Sequence, residues 1–273
     1  MKKAKRSLPL VTAAVDGAVG ELCLTRPRQR NAINEQMIEQ VLSLCQWFDQ
    51  NERVKVVILR GEGEAFSAGM DLDLLCNGTV EQVVAAADLT RQMLARITAM
   101  NAVVIAAIHG ACVGVSSIML ATACDLRYAA HDTKFLLPEI HLGIPVSYSG
   151  MSGLAKSLGS ALTLEMALLG QAVPAQRLHQ KNFLNGLFDP AELLRKTQDV
   201  AAQLALNSAL VLRMTKEQMV QEIRTLASAH HSFQFLNDLR IALNDPKSTK
   251  ARNSYLQRLG YPGAPARGAE CPP

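Results

Sequence analysis

Two short segments rich in small residues could present backbone N–H groups to a ligand. The first, residues 64–72, follows an apolar run and places alanine, serine and glycine between larger apolar residues. The second begins at Gly110 and continues into an apolar stretch with helical spacing that starts at Gly114. Free N–H groups at a turn or at a helix N-terminus favour a developing negative charge. Taken alone, the first segment is equally compatible with a tight turn that has no ligand.

Three other chemistries are disfavoured by the spacing of their residues. Gly61 and Gly63 follow a predicted strand as in a dinucleotide-binding loop, but Phe66 replaces the third glycine and no helix follows. The segment 150–153 is one residue short of a nucleophile elbow and lacks a preceding strand. Adjacent histidines at 230–231 on a predicted helix point in different directions, so they are not expected to share a metal.

The bulk composition is typical of a globular protein. Of 273 residues, 49% are hydrophobic and 19% are charged, which allows one large domain or a core domain with a smaller appendage. The net charge of +4 comes partly from the basic head, residues 2–6. We interpret this head as a solvated tail, because aromatic residues are scarce and no basic stripe continues behind it. No nucleic-acid partner is therefore expected.

Membrane, targeting and redox signals are weak. Polar residues interrupt the longest apolar runs before they reach membrane-spanning length, and no signal-peptide core follows the basic head. We therefore expect no membrane partner and a cytoplasmic location. The six cysteines form no C-x-x-C pair, so reduced, mostly structural thiols and no metal site are expected.

The periodicity of the apolar residues predicts an α/β core followed by a helical region. Asp16 and Gly17 lie between two apolar runs and predict an opening β-hairpin, and Asn31 or Asn34 can cap the next helix. Strands then alternate with helices, which indicates parallel pairing through crossover connections. The predicted strands are 11–15, 19–24, 54–59, 103–108 and 126–129. The predicted helices are 33–45, one within 80–100, 114–123, 161–169, 191–206, 209–227 and a weaker stretch over 233–259.

Several motifs, in their common order, resemble the enoyl-CoA hydratase/isomerase (crotonase) superfamily over roughly residues 10 to 190. Residues 66–71, FSAGMD, are similar to its F-[SC]-A-G-x-D loop. Residues 109–114, HGACVG, with the helix behind them, are similar to its second loop, N-G-x-A-x-G-G-G. The other matches are R-P-x-x-R-N-A-x-N at 26–34, P-E-x-x-L-G at 138–143 and L-x-G…A…G-L at 169–187. One motif alone is weak, but their shared order is specific.

The resemblance implies an architecture and a substrate. We expect a ββα spiral core over residues 1–190, a helical region over 191–260 that covers the CoA site and mediates trimer formation, and a disordered tail over 261–273. The expected partners are an acyl-CoA thioester and further copies of the chain, as a homo-trimer or hexamer. No cofactor is expected, because coenzyme A enters as part of the substrate.

The resemblance also implies the site residues. An oxyanion hole would consist of the backbone N–H groups of Ala68 and Val115, with Gly114 replacing Val115 if the alignment shifts by one residue. Glu139 would be the acid/base, and the alternative is a surface carboxylate that follows a proline. The residues expected to bind the substrate are Ala65, Ser67, Met70, Asp71, Leu72, Gly114 and Ile118.

The chain departs from the family pattern at positions that determine the type of reaction. His109 replaces an asparagine, Val115 and Ser116 replace two glycines, and no acid occurs in the segment 114–123, where hydratases carry one glutamate. Hydration usually employs two glutamates, whereas one acid can move a proton between two carbons. An isomerase-like double-bond shift is therefore favoured over hydration. Decarboxylation, thioester hydrolysis and a weakly catalytic module that binds CoA esters or assists assembly remain alternatives.

Overall fold

The computed structural model describes residues 4–8, 10–146, 148–224 and 229–261, and the side chains of residues 10–146, 153–218 and 236–261. The predicted tail beyond residue 261 and the side chains of the histidine pair at 230–231 lie outside this part of the chain. None of the described helices is long and apolar enough to cross a membrane.

A seven-stranded sheet lies at the centre of the fold. Its strands are β1 (Ala4–Leu8), β2 (Val11–Asp16), β3 (Val19–Leu24), β4 (Val56–Gly61), β5 (Val103–Ile108), β7 (Leu126–Ala130) and β10 (Gly186–Phe188). They lie in this order across the sheet. The first three strands pair antiparallel, and the remaining pairs are parallel. The predicted hairpin is confirmed, and its turn contains Gly17 with φ of 63°, a conformation that favours glycine.

The parallel strands β4 and β5 are buried on both faces. In β4, Val57 and Leu59 belong to one apolar cluster, whereas Val56 and Ile58 belong to another. Because successive side chains of a strand point to opposite faces, a strand covered on both sides reads as an uninterrupted apolar run. This explains the continuous hydrophobicity of residues 56–59 and 103–108.

Helices cover both faces of the sheet. They are α1 (Glu35–Asp49), α2 (Leu72–Asn77), α3 (Val80–Thr98), α4 (Gly114–Thr122), α5 (Tyr148–Leu158), α6 (Ser160–Leu169), α7 (Ala175–Gln180), α8 (Leu193–Ala205), α9 (Ala209–Arg224), α10 (Ala229–Asn244) and α11 (Pro246–Arg258). Asn34 caps α1 by accepting the N–H of Met37, as predicted, and Thr79 with Gln82 forms a capping box at α3. Helices α1 and α3 contribute to one cluster and α8 to the other.

A second, three-stranded sheet positions the site. It consists of β6 (Ala111–Val113), β8 (Lys134–Leu136) and β9 (Val173–Pro174), with β6 and β8 parallel. Val113 and Leu136 are partners in this register. Since parallel strands end at the same edge of a sheet, Gly114 at the start of α4 and the turn that contains Glu139 lie next to each other.

Three sequence predictions need correction. Residues 4–8, which overlap the basic head, form β1, because the open edge of the hairpin pairs with a further extended segment. Helix α5 was missed, because Gly150 and Gly153 lower helix propensity; the serine of the segment 150–153 therefore lies within a helix and not on a nucleophile elbow. The weak stretch 233–259 belongs to two helices, separated at Asp245, which caps α11.

The C-terminal part of the chain is helical, as predicted. Leu193 and Ala201 of α8 pack on the sheet next to Val56 and Ile105, so helices beyond residue 190 share a core with the strands. The boundary at residue 190 stays a prediction.

Candidate active site

A buried asparagine holds the first loop, residues 61–71. Asn31 is fully buried, and its backbone has a left-handed φ of 56°. Its side-chain amide donates to the carbonyls of Glu62 (2.9 Å) and Ala65 (2.8 Å), and its oxygen accepts the N–H of Arg26 (2.9 Å). Both the donors and the acceptor of this side chain are thus used. The first loop is therefore fixed to the segment 26–34.

Two residues predicted to bind the substrate shape this loop. The buried hydroxyl of Ser67 donates to the Asn31 carbonyl (2.9 Å) and accepts the N–H of Gly69 (3.2 Å). The Asp71 carboxylate pairs with Arg26 at 2.8 Å and caps α2. The polar atoms of Ser67 and Asp71 are thus engaged within the protein and fix the loop geometry, whereas their contact with a substrate stays a prediction.

The backbone donors of the first loop differ from the prediction. The Ala68 N–H donates to the Arg30 carbonyl at 2.8 Å, so it is engaged inside the protein and its predicted oxyanion role is corrected. Ile33 and Met70 form a parallel β-bridge, in which the Ile33 N–H donates to the Gly69 carbonyl and the Asp71 N–H donates to the Ile33 carbonyl. In such a bridge the N–H of Met70 points away from Ile33. No acceptor for this N–H is found in the described part of the chain. Met70 therefore offers a free donor.

The first loop touches the start of α4 through two glycines. Gly69 and Gly114 have φ of 86° and 79°, values that side chains other than glycine rarely adopt. A Cβ on Gly69 would lie 2.6 Å from the Val113 carbonyl oxygen, and one on Gly114 would lie 3.4 Å from both the Gly69 Cα and the Glu139 Oε1. Glycine at both positions allows the backbone before Met70, the N-terminus of α4 and the Glu139 carboxyl to lie side by side.

Glu139 points at the N-terminus of α4, where its Oε1 accepts the N–H of Val115. The donor predicted to bind a ligand is thus held by a carboxylate in this structure. Burial raises the Glu139 pKa from 4.5 to about 7, and the N–H groups of Val115 and of Glu139 itself oppose this rise because they stabilise the charged form. Oε2 is buried and has no hydrogen-bond partner among the described residues. This carboxyl can therefore exchange a proton near neutral pH.

Four of the residues predicted to bind the substrate are apolar and at least partly buried. Ile118 of α4 and Ala65 of the first loop are almost fully buried, so they support the site from the core. Met70 and Leu72 are half-buried and pack with Ile144 against a cluster drawn from α2, α3, α10 and α11. Of the predicted site residues, the structure brings together Met70, Leu72, Gly114, Val115 and Glu139.

Sequence reasoning missed the residues that hold the site in place. Asn31 carried a signal, its place in the segment 26–34, but was considered only as a helix cap. Tyr255 of α11 stacks on His141, with ring centroids 5.3 Å apart, and Arg252 of the same helix donates to the Leu142 carbonyl. These two residues carried no signal, because the recognised motifs end before residue 190.

The described residues contain no group of three or more His, Cys, Asp or Glu side chains arranged to hold a metal ion. His109, which replaces the family's asparagine, bonds the Gly63 carbonyl through Nε2 at 2.9 Å. Burial lowers its pKa. His109 therefore helps to hold the first loop.

Residues 14–259 match the family model for enoyl-CoA hydratase/isomerase. A mitochondrial Δ(3,5)-Δ(2,4)-dienoyl-CoA isomerase from Dictyostelium discoideum is 31% identical over 210 residues, which cover 72% of this chain and 71% of the relative. A 2,3-dehydroadipyl-CoA hydratase from Escherichia coli K12 is 32% identical over 202 residues, which cover 73% and 77%. Relatives of both reaction types are thus similar to this chain.

The fold also has solved counterparts. The crystal structure of an enoyl-CoA hydratase from Bacillus anthracis has a TM-score of 0.76 and 26% identity to this chain, and the match covers 94% of this chain and 98% of that one. The predicted fold class, an α/β spiral core with a helical C-terminal region, is therefore confirmed.

Proposed function

The chain belongs to the enoyl-CoA hydratase/isomerase family, and from this premise we propose that it shifts the double bond of an enoyl-CoA thioester with Glu139 as the sole acid/base. The observation that carries this proposal is the buried Glu139 carboxyl, whose pKa is about 7 and whose Oε2 has no partner among the described residues. The segment 114–123, where a hydratase carries its second glutamate, contains no acid. One carboxyl is enough to move a proton between two carbons.

In this proposal the thioester carbonyl oxygen accepts the N–H groups of Met70 and Val115. Met70 is chosen over Ala68 because its N–H has no acceptor among the described residues. Val115 becomes available when Glu139 releases it. That release removes a contact that lowers the Glu139 pKa, so the carboxylate becomes a stronger base as the carbonyl binds. Each donor contributes about 3 kcal/mol to the stabilisation of the oxyanion.

The proton transfer conserves all atoms of the substrate. Glu139 takes a proton from the α-carbon of a 3-enoyl thioester, and the electron pair of the C–H bond becomes delocalised onto the carbonyl oxygen. The same carboxyl then returns the proton to the γ-carbon, which yields a 2-enoyl thioester. Burial of the Glu139 carboxyl favours its neutral form between the two steps.

Mass spectrometry of the products in ²H₂O tests this reaction. A 3-enoyl-CoA should become its 2-enoyl isomer without the mass of a water, and it should gain deuterium to the extent that the protonated Glu139 carboxyl exchanges with the solvent between the two steps. Hydration would instead add one water. Glu139→Gln keeps the shape of the side chain, and it should lower deuterium incorporation about a hundredfold or more while thioester binding persists. The exposed Glu64 in the first loop provides the matched control, Glu64→Gln, which should retain activity. Undiminished exchange in Glu139→Gln would assign the chemistry to another residue.

A panel of thioesters separates the alternatives. Loss of carbon dioxide from malonyl-CoA would indicate decarboxylation, and release of free CoA would indicate thioester hydrolysis. Tight binding of enoyl, dienoyl, malonyl and hydroxyacyl thioesters without turnover would instead indicate a weakly catalytic binding module.

We also propose that the protein forms a homo-trimer or hexamer. Supporting observations are the large apolar side chains that α9 and the residues before it expose: Leu206 (86%), Leu210 (56%), Val211 (57%) and Met214 (49%). Such a patch is typical of a protein interface. A monomeric mass by light scattering at micromolar concentration would contradict this proposal. The cytoplasmic location stays a prediction.

A further inference from the structure

The C-terminal helix α11 lies directly against the acid loop, residues 138–144. Gly143 in this loop has φ of 65°, and a Cβ at this position would collide with the Ser248 carbonyl in the first turn of α11. Leu142 and Leu256 are buried in one apolar cluster. The helix and the loop are thus in backbone contact, and their leucines share a core.

A buried arginine connects α11 to the Glu139 backbone. Arg252 is 7% exposed, and its Nε donates to the Leu142 carbonyl at 2.9 Å. The N–H of Leu142 donates in turn to the Glu139 carbonyl at 3.0 Å, and the N–H of Ile144 donates to the same carbonyl at 3.1 Å. Burial of a guanidinium is costly unless it is hydrogen-bonded. The Nε donor of Arg252 thus bonds Leu142, the residue whose own N–H bonds the Glu139 carbonyl.

An aromatic contact fixes the same loop from a second side. The Tyr255 ring stacks on His141, with a centroid distance of 5.3 Å and an interplanar angle of 22°. Burial raises the Tyr255 pKa, as expected for a ring that is partly buried in this contact. One face of α11 therefore contacts the acid loop through a cation and a ring.

We infer that Arg252 and Tyr255 are positioning residues that hold the Glu139 carboxyl where it can reach both the substrate and the N-terminus of α4. This inference rests on the proposed function, since it assumes that Glu139 transfers the proton. Arg252 acts through the Leu142 peptide, and Tyr255 acts through the His141 ring. Helix α11 is thereby a part of the active site and not only a cover for it.

Arg252→Met tests the inference by removing the donor while keeping an unbranched side chain. We expect kcat per folded protein to fall about tenfold to a hundredfold, because small displacements of a reacting group have effects of this size. KM should change by less than about threefold, since a positioning residue does not bind the thioester. Arg252→Lys restores a donor and should recover most of kcat. Lys250→Met, at an exposed position of the same helix, is the matched control and should leave kcat unchanged.

A second pair of variants decides the matter if Arg252→Met does not fold. Tyr255→Phe keeps the ring and should retain kcat within about threefold, whereas Tyr255→Leu loses the stack and should lower kcat about tenfold. Unchanged kcat per folded protein in both Arg252→Met and Tyr255→Leu would overturn the inference, as would an equal loss in Arg252→Lys and Arg252→Met. Glu139→Gln, assayed in parallel, distinguishes a failure of the proposed function from a failure of the positioning role. If that variant keeps full turnover, the proposed function itself fails; if it is inactive, a negative result concerns only the positioning role.

Discussion

Replacement of Glu139 by glutamine should stabilise the fold in neutral and alkaline solution. The carboxyl has a pKa of 4.5 when unperturbed and about 7 in the folded protein. Below pH 4.5 it is neutral in both states, so its ionisation costs nothing. Between the two values the native protein keeps a proton that the unfolded chain has released, so the stability of the wild type falls as pH rises. Above pH 7 the cost reaches roughly 3 kcal/mol, at about 1.4 kcal/mol for each pH unit.

Urea denaturation at pH 5, 6, 7 and 8 measures this effect. The glutamine of the Glu139→Gln variant never ionises, and its side-chain oxygen can still accept the Val115 N–H. The free energy of unfolding of the variant should therefore exceed that of the wild type by an amount that grows with pH. The exposed Glu52 provides a matched control, because Glu52→Gln should show no such growth. A difference between wild type and Glu139→Gln that stays constant from pH 5 to pH 8 would refute the argument from burial.

Three further predictions concern a backbone donor of the site, the anchor of the first loop and a buried ion pair elsewhere in the fold. Replacement of Met70 by its α-hydroxy acid analogue removes only the N–H and should lower kcat about 10²-fold or more. The same change at Ala68 should mainly weaken the fold, by about 1 kcal/mol, and an equal loss of kcat there would contradict the assignment. Asn31→Ala leaves several buried groups unpaired and should cost roughly 3 kcal/mol in urea denaturation; a cost below about 1 kcal/mol would contradict the anchoring role. Lys216→Met breaks a pair with Asp125 that is 2.8 Å long and should cost roughly 3 kcal/mol. Asp125→Asn should recover part of that loss in the double variant, and simple additivity would show that the two side chains do not interact.

The parts of the fold that depend on local pattern could be predicted from the sequence. The Asp16 and Gly17 turn, the Asn34 cap and the doubly covered strands are set by neighbours in the chain, and each is found as expected. The β1 strand could not be predicted, because its pairing depends on an open sheet edge and not on its own basic composition.

The site was predicted at the level of segments but not of individual donors. Which N–H of the first loop is free depends on the bond from Ala68 to Arg30 and on the bridge from Met70 to Ile33. Arg30 and Ile33 lie in the segment 26–34, which is distant in sequence from the first loop. No local pattern reveals the register between that segment and the loop. The support from α11 was missed for a related reason, since Arg252 contacts a carbonyl that every residue type carries.

The carboxyl that rests on the Val115 N–H also bears on which molecules can compete for the site. A free fatty acid carries the same chain as its thioester but ends in a carboxylate, and helix N-termini attract such anions. When Glu139 is ionised, its own carboxylate occupies the N-terminus of α4 by accepting the Val115 N–H. A free acid would therefore meet a buried charge of the same sign. A thioester carbonyl is neutral and meets no such repulsion. Under the proposed function, the ionised carboxyl therefore disfavours free acids relative to thioesters, and this preference weakens below pH about 7, where Glu139 takes up a proton.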